Sequence, residues 1–200
     1  MNIYEVLHEE HVQILGLLER AGRATSKGER RSLLDLLIDE LSAHTIAEQE
    51  ILYRQLNDAR AARATLLEAI EEHLTIARLM AELVVIDVEH ERCDWQIKVL
   101  TNSLAHHVAE EECELFFQAQ RVIDDDFADA LPRAFRNAKD AAQWMPIEDR
   151  LTEALAASYL AADDDLEELD SEVDGIVELD PGDEIDRAAG DQHGELPAGS

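Results

Sequence analysis

Apolar positions recur at spacings of three and four along the first 145 residues, the period of helices that bury one face. Breaks in that period divide the stretch into four long helices and a shorter fifth. The first is predicted from about Ile3 to Ala21 and is broken by Gly22 to Gly28. Ser26 followed by Glu29 has the capping-box spacing that opens a second helix, which runs to about Leu56. Asn57-Asp58 makes a turn with a cap. A third helix follows to about Val85, with a soft end because Ile86 to Cys93 holds no Gly or Pro. A fourth runs to about Ile123. Asp124-Asp125-Asp126 stops it and caps a fifth element from Phe127 to Gln143, in which Pro132 marks a kink or a first turn. Four long helices with short connections fold most simply as an all-α, up-down-up-down bundle.

Each long helix carries one inward stripe. In the first it is Tyr4, Leu7, His11, Ile14, Leu18, and in the second Leu34, Leu37, Leu41, His44, Glu48, Leu52. In the third it is Leu66, Ile70, His73, Ala77, Met80, Val84, and in the fourth Ile97, Leu100, Leu104, His107, Glu111, Leu115. A histidine interrupts all four stripes, and in two of them a glutamate follows four residues later. At about 1.5 Å of rise per residue, His11 lies roughly 12 Å from the start of its helix. His44 and Glu48 lie roughly 20 and 13 Å from the end of theirs, and His73 roughly 20 Å from the start of the third. His107 and Glu111 lie roughly 21 and 15 Å from the end of the fourth. In an up-down bundle those ends share one floor, so the six side chains fall within about two helical turns of one another.

A buried carboxylate without a partner costs several kcal/mol, so a core does not keep two of them by accident. Imidazoles and carboxylates converging in a dry core make a metal site. Four nitrogens and two carboxylates, with no thiolate on the stripes, suit iron or manganese and argue against a Cys-rich zinc site. Six ligands are too many for one ion that keeps an open position. They fit two ions, each with two histidines and both spanned by the glutamates, leaving room for a bridging oxygen and an exogenous ligand. The bland alternative is a helical bundle whose core histidines are simply satisfied by neighbours.

Composition narrows the function classes. Lys+Arg 17 against Asp+Glu 46 leaves a net charge of −29, which repels phosphate and excludes a broad nucleic-acid face or an anionic-membrane anchor. No uncharged apolar run approaches a membrane span, and Met1-Asn2-Ile3-Tyr4-Glu5 has no basic signal-peptide start, so a cytoplasmic location is expected. Cys93 and Cys113 lack CxxC spacing. The acidity is uneven: Pro146 to Ser200 carries 18 acidic and 2 basic residues. Residues 1–145 are therefore read as the bundle and residues 146–200 as an acidic, mostly disordered tail. Ile147, Leu151, Leu155 and Tyr159 sketch one weak amphipathic helix before the most acidic run, which begins at about Ala162. The tail serves solubility or, on the sharper view, docks a basic protein partner.

The order His, His-xxx-Glu, His, His-xxx-Glu resembles the hemerythrin-like, or HHE cation-binding, domain. The words that carry it are His8-Glu9-Glu10-His11, His44 to Tyr53, Glu71-Glu72-His73, and His106-His107-Val108-Ala109-Glu110-Glu111-Glu112-Cys113-Glu114-Leu115-Phe116. The resemblance spans about residues 1–125. It implies a four-helix bundle around two non-heme iron ions, manganese being the alternative, with an oxo or hydroxo bridge. It also implies a small diatomic or peroxide ligand, since the family includes oxygen carriers, oxygen and iron sensors, and proteins handling peroxide or nitric oxide. Oxygen-carrying members have a second histidine one turn after the third-helix histidine, and a shorter acid on the fourth helix. Ala77 and Glu111 stand at those positions here. That departure argues against reversible oxygen carriage and for sensing or redox chemistry. A ferritin-like oxidase would show Glu-x-x-His pairs instead.

His8 competes with His11, and His106 with His107, the latter paired with Glu110 or Glu111. The stripe favours His11. The 107/111 pair is favoured because Glu111 precedes Leu115-Phe116 as Glu48 precedes Leu52-Tyr53. The expected metal ligands are therefore His11, His44, Glu48, His73, His107 and Glu111. Glu72, Glu110 and Glu112 are expected on solvated faces or as hydrogen-bond orienters, Cys113 as an inert buried thiol, and Trp95 and Trp144 as packing residues. Three functions follow: a di-iron protein that binds, senses or reacts with oxygen, peroxide or nitric oxide; an iron-responsive regulatory module without catalysis; or a metal-free scaffold.

Overall fold

The computed structural model describes residues 1–153, all of whose regular structure is helical. Helix α1 (Ile3–Arg23) opens on a full capping box. The Asn2 side chain accepts from the Glu5 amide, and Glu5 reaches back to the Asn2 amide. Helix α2 (Lys27–Ile51) starts where Ser26 accepts from the Glu29 amide, the cap its spacing predicts. It ends five residues before the expected Leu56, giving way to a 3₁₀ turn at Tyr53–Gln55. Helix α3 (Arg63–Val85) and α4 (Glu91–Glu110) complete the bundle. Past Glu110 the chain makes a π-helical turn, Glu111–Leu115, before one last α turn, α5 (Phe116–Ala119). Helix α6 (Asp125–Gln143) is capped by Asp124, which accepts from the Phe127 amide, and keeps Pro132 inside it.

Neighbours around the bundle are α1 with α2 and α4, and α3 with α2 and α4, the up-down-up-down order, while α6 lies against α1 and α2. Nearly every stripe residue is buried. At the end of α3, Leu83 takes the core position expected of Val84. The apolar interior is divided in two. One cluster holds Ile14, Leu18, Leu34, Leu37, Leu41, Ile76, Ala77, Met80, Leu100 and Leu104. The other holds Leu7, Ala47, Leu52, Tyr53, Leu66, Ile70, Leu115, Phe116 and Phe135. The histidines and glutamates of the stripes lie in the layer between them.

The bundle runs past the sequence boundary at residue 145. Residues 147–153 are helical, Leu151 joins the core, and Arg150 is 2 % exposed. Its guanidinium donates to the Asp39 backbone oxygen at 2.9 Å and pairs with the Asp39 carboxylate. Net acidity hid this contact, because one buried Arg decides it against three acidic neighbours. The rest of the expected tail, with Leu155, Tyr159 and His193, lies outside the described residues. Among the described residues no helix is long and apolar enough to cross a membrane.

Candidate metal centre

His11, His44, His73 and His107 are each 1–2 % exposed, and Glu48 and Glu111 are 0 and 2 % exposed. The structure brings all six together, one imidazole from each long helix. The His11 and His44 ring centroids are 5.0 Å apart, and those of His73 and His107 are 4.5 Å apart. The carboxylates lie across the two pairs. Glu48 Oε2 is 3.5 Å from His44 Nε2 and 3.5 Å from His73 Nε2. Glu111 Oε2 is 3.3 Å from His11 Nε2 and 3.7 Å from His107 Nε2. His11, His44 and Glu48 form one group with one ligand atom per residue inside 4.8 Å, and Glu48, His73 and His107 form a second. Glu48 belongs to both.

The donor set fits a pair of cations. Nε2 of His11 and His44, both oxygens of Glu48, and Oε2 of Glu111 are buried and lack hydrogen-bond partners. Orphaned polar atoms at this density are costly unless a partner sits among them. His73 Nε2 and His107 Nε2 stand 3.0 Å apart. One ion could be held by both nitrogens.

Outer groups hold the rings. His107 Nδ1 is 2.9 Å from Glu72 Oε2, and His11 Nδ1 is 2.9 Å from Glu112 Oε1. A carboxylate that accepts from Nδ1–H leaves the Nε2 lone pair facing inward. His44 Nδ1 faces Glu10 at 3.7 Å, and Glu10 in turn pairs with Lys139 of α6. The Gln49 amide is 3.2 Å from His73 Nδ1. Glu72 and Glu112 are thus orienters, as the sequence suggested. His8 and His106, the competing histidines, are exposed and rest on the outer side of Glu112 and Glu72. Glu110 lies at the surface near His106, and with Glu72 these make a third group of ligand-type atoms outside the core.

Three residues matter that the sequence did not single out. Tyr53 is 2 % exposed, and its hydroxyl donates to Glu111 Oε1 at 3.0 Å while lying 3.4 Å from His73 Nε2. The sequence placed it only beside the stripe, after Leu52, with no sign that α2 tightens into the 3₁₀ turn that carries it inward. Glu10 and Lys139 support His44 from α1 and α6. The π turn was also illegible in a run of glutamates. It lets Glu111 face the core while Glu112 reaches His11, and π turns of this kind concentrate at functional sites.

Three expectations are corrected. Cys113 is exposed rather than buried, because Glu111 and Leu115 take the two buried places of the five-residue π turn. Trp95 is 63 % exposed, since Cys93, Gln96 and Ile97 form the buried face of α4, and Lys98 lies over its ring. Trp144 is 90 % exposed just past α6.

Burial and the neighbouring charge sites set the protonation of the metal-free centre. Burial, then the nearby imidazoles of His44 for His11 and of His107 for His73, hold both imidazoles down at about 4. Burial acts the same way on His44, but the charges of Glu48 and Glu10 outweigh it and raise His44 to about 9. Burial and the Glu48 charge push Glu111 well above the carboxylate range. Burial works against ionised Glu48 too, but His44 wins and holds it well below that range.

His11 and His73 protonate at about 4 folded against 6.5 as the ordinary value. Between those limits the unfolded chain binds more protons, so stability falls with falling pH. The raised His44 adds stability that is fully present below 6.5 and is lost only as pH rises through about 9. Glu111, raised in the fold, gains stability as pH falls and opposes this, so the metal-free Glu111→Gln protein, which lacks that carboxyl, is expected to melt at a lower temperature at pH 4.5 than at pH 7. Calorimetry at the two values checks it, and equal melting temperatures would refute the assignment of neutral His11 and His73.

The chain matches the family described as the hemerythrin HHE cation binding domain over residues 2–119. A comparison with curated proteins returns no match. The fold is similar to the crystal structure of a hemerythrin HHE cation binding domain-containing protein from Mycobacterium kansasii. That likeness has a TM-score of 0.64 at 25% identity, over 78% of this chain and 99% of that one. With a four-helix core holding a buried His and Glu cluster, and a family match across more than half its length, this chain belongs to the hemerythrin HHE cation-binding domain family.

Proposed function

We propose that this protein holds two non-heme iron ions in its core and that the centre binds, senses or reacts with oxygen, peroxide or nitric oxide. The observation that carries it is the sharing of Glu48 between two buried groups whose inward-facing nitrogens and oxygens lack partners. His11 and His44 would hold one ion and His73 and His107 the other, with Glu48 and Glu111 spanning both. All-nitrogen and oxygen donors in a dry core favour iron, or manganese, over structural zinc. Bound iron supplies Lewis acidity and a change of oxidation state.

The protein's own part is positional. Glu72 and Glu112 keep two Nε2 atoms turned inward. Tyr53 holds Glu111 through a hydroxyl hydrogen bond, which fixes one carboxylate oxygen and leaves the other for the centre. The two apolar clusters exclude bulk water from both sides of the layer. Ala77, where oxygen carriers have a further histidine, is fully buried in one of them. That supports reactivity or sensing over reversible carriage.

The test is elemental analysis of the full-length protein with an optical spectrum before and after added peroxide. Two irons per chain and a spectrum altered by peroxide are expected. A fully metal-free protein, or one whose loaded spectrum ignores peroxide, oxygen and nitric oxide alike, would overturn the proposal. Peroxide disproportionation is one concrete activity, and absence of oxygen evolution from a fully iron-loaded sample removes it.

A further inference from the structure

The four imidazoles also line an enclosed cavity, whose remaining walls are Ile14, Leu41, Thr45, Ile76, Leu104 and Val108. About 10 Å³ of it is open to the centre of a water-sized sphere, which is room for one very small molecule. Neither Glu48 nor Glu111 lines it, so it lies on the imidazole side of the centre, away from the carboxylates. Five of the six further walls are aliphatic. The sixth is Thr45, next in sequence to His44.

Thr45 is 1 % exposed, and its hydroxyl has no hydrogen-bond partner. A helical threonine has a ready acceptor in the carbonyl four residues back. Thr101 uses it, donating to the Ile97 oxygen at 2.7 Å. Thr45 does not use the Leu41 oxygen. An unpaired buried hydroxyl lowers stability, and an apolar side chain of the same shape would remove that cost. The fold therefore gains nothing from this oxygen, yet the residue that carries it lines the small space beside the centre's imidazoles.

We propose that Thr45 is a specificity-determining residue of the centre. Its hydroxyl hydrogen-bonds the exogenous ligand, and the cavity limits the part of that ligand it holds to about the size of one water. The assignment rests on the di-iron proposal above. A hydroxyl that both donates and accepts matches peroxide, which does the same at each oxygen. The aliphatic walls exclude organic hydroperoxides by bulk.

The test compares the full-length wild type, Thr45→Val and Thr45→Ser, each loaded with iron. Fluoride serves as the probe, a water-sized hydrogen-bond acceptor, and its binding is followed by the optical spectrum. Thr45→Val is expected to bind fluoride about tenfold more weakly, the loss of one hydrogen bond, with iron content unchanged. Thr45→Ser is expected to stay close to wild type. In the metal-free state Thr45→Val is expected to melt higher than wild type, a readout independent of any ligand. Equal fluoride affinity in wild type and Thr45→Val overturns the proposal. So does a Thr45→Val protein that melts lower or fails to fold, because the hydroxyl would then be a structural group. A wild type that takes up no iron refutes the di-iron proposal itself, and the Thr45 assignment with it.

Discussion

Glu48→Ala is expected to reduce the metal content from two ions per chain to nearly none. Glu48 is the one residue common to both groups of ligand atoms, 3.5 Å from an imidazole of each. Both its oxygens are buried without partners. Losing a histidine would weaken one position, whereas losing Glu48 weakens both and removes the negative charge that offsets two cations. The second consequence is thermal. A ligand present at 100 times its Kd stabilises a protein by about 2.7 kcal/mol. For a domain of this size that is a rise in Tm of about 5–11 °C. Wild type should show that rise on iron loading, and Glu48→Ala should show none. Glu110→Ala, at the half-exposed position beside Glu111 and outside the two core groups, is the control and should behave as wild type. Retention of two irons per chain by Glu48→Ala, measured by elemental analysis, would mean that the carboxylate is not shared between ions.

The polar layer was legible because burial is periodic. A histidine at a stripe position has to point inward, and four of them at matching depth have to meet in one layer of the core. The same logic separated His11 from His8 and His107 from His106, since in each pair only one residue lies on the stripe. Legibility failed wherever the backbone left the regular α period. The π turn shifts the phase of everything after Glu110, so Glu112 turns toward His11 and Cys113 toward solvent. The 3₁₀ turn at Tyr53 does the same at the end of α2 and aims a phenol at Glu111. Neither change has a proline or glycine to announce it. Contacts made across sequence-distant elements were equally hidden. Arg150 on Asp39 and Lys139 on Glu10 are single charged residues in acidic surroundings, and no local pattern distinguishes them from surface charges.

Helix α6 shows how far such distant contacts reach into the centre. It lies beyond the residues matched by the family, yet its buried face of Ala128, Leu131, Phe135 and Ala142 lies along the groove of α1 and α2. Phe135 is 0 % exposed and meets the His44 ring edge-on, with centroids 5.7 Å apart at 76°. Lys139, one turn further along, holds Glu10, which faces His44 Nδ1. One helix thus steadies the His44 ring directly through Phe135 and its outer nitrogen indirectly through Glu10. Phe135→Ala should cost about 3–5 kcal/mol through the lost burial and the cavity left behind. That lowers Tm by about 6–20 °C for a domain of this size. The loss should not stop at stability: a loosened His44 ring should give up iron faster to a competing chelator. Phe117→Ala removes the same side chain from a 57 % exposed position and should change neither quantity. If Phe135→Ala melts early but keeps iron against the chelator as well as wild type does, α6 supports the fold without holding His44, and the ring is positioned by α1 and α2 alone.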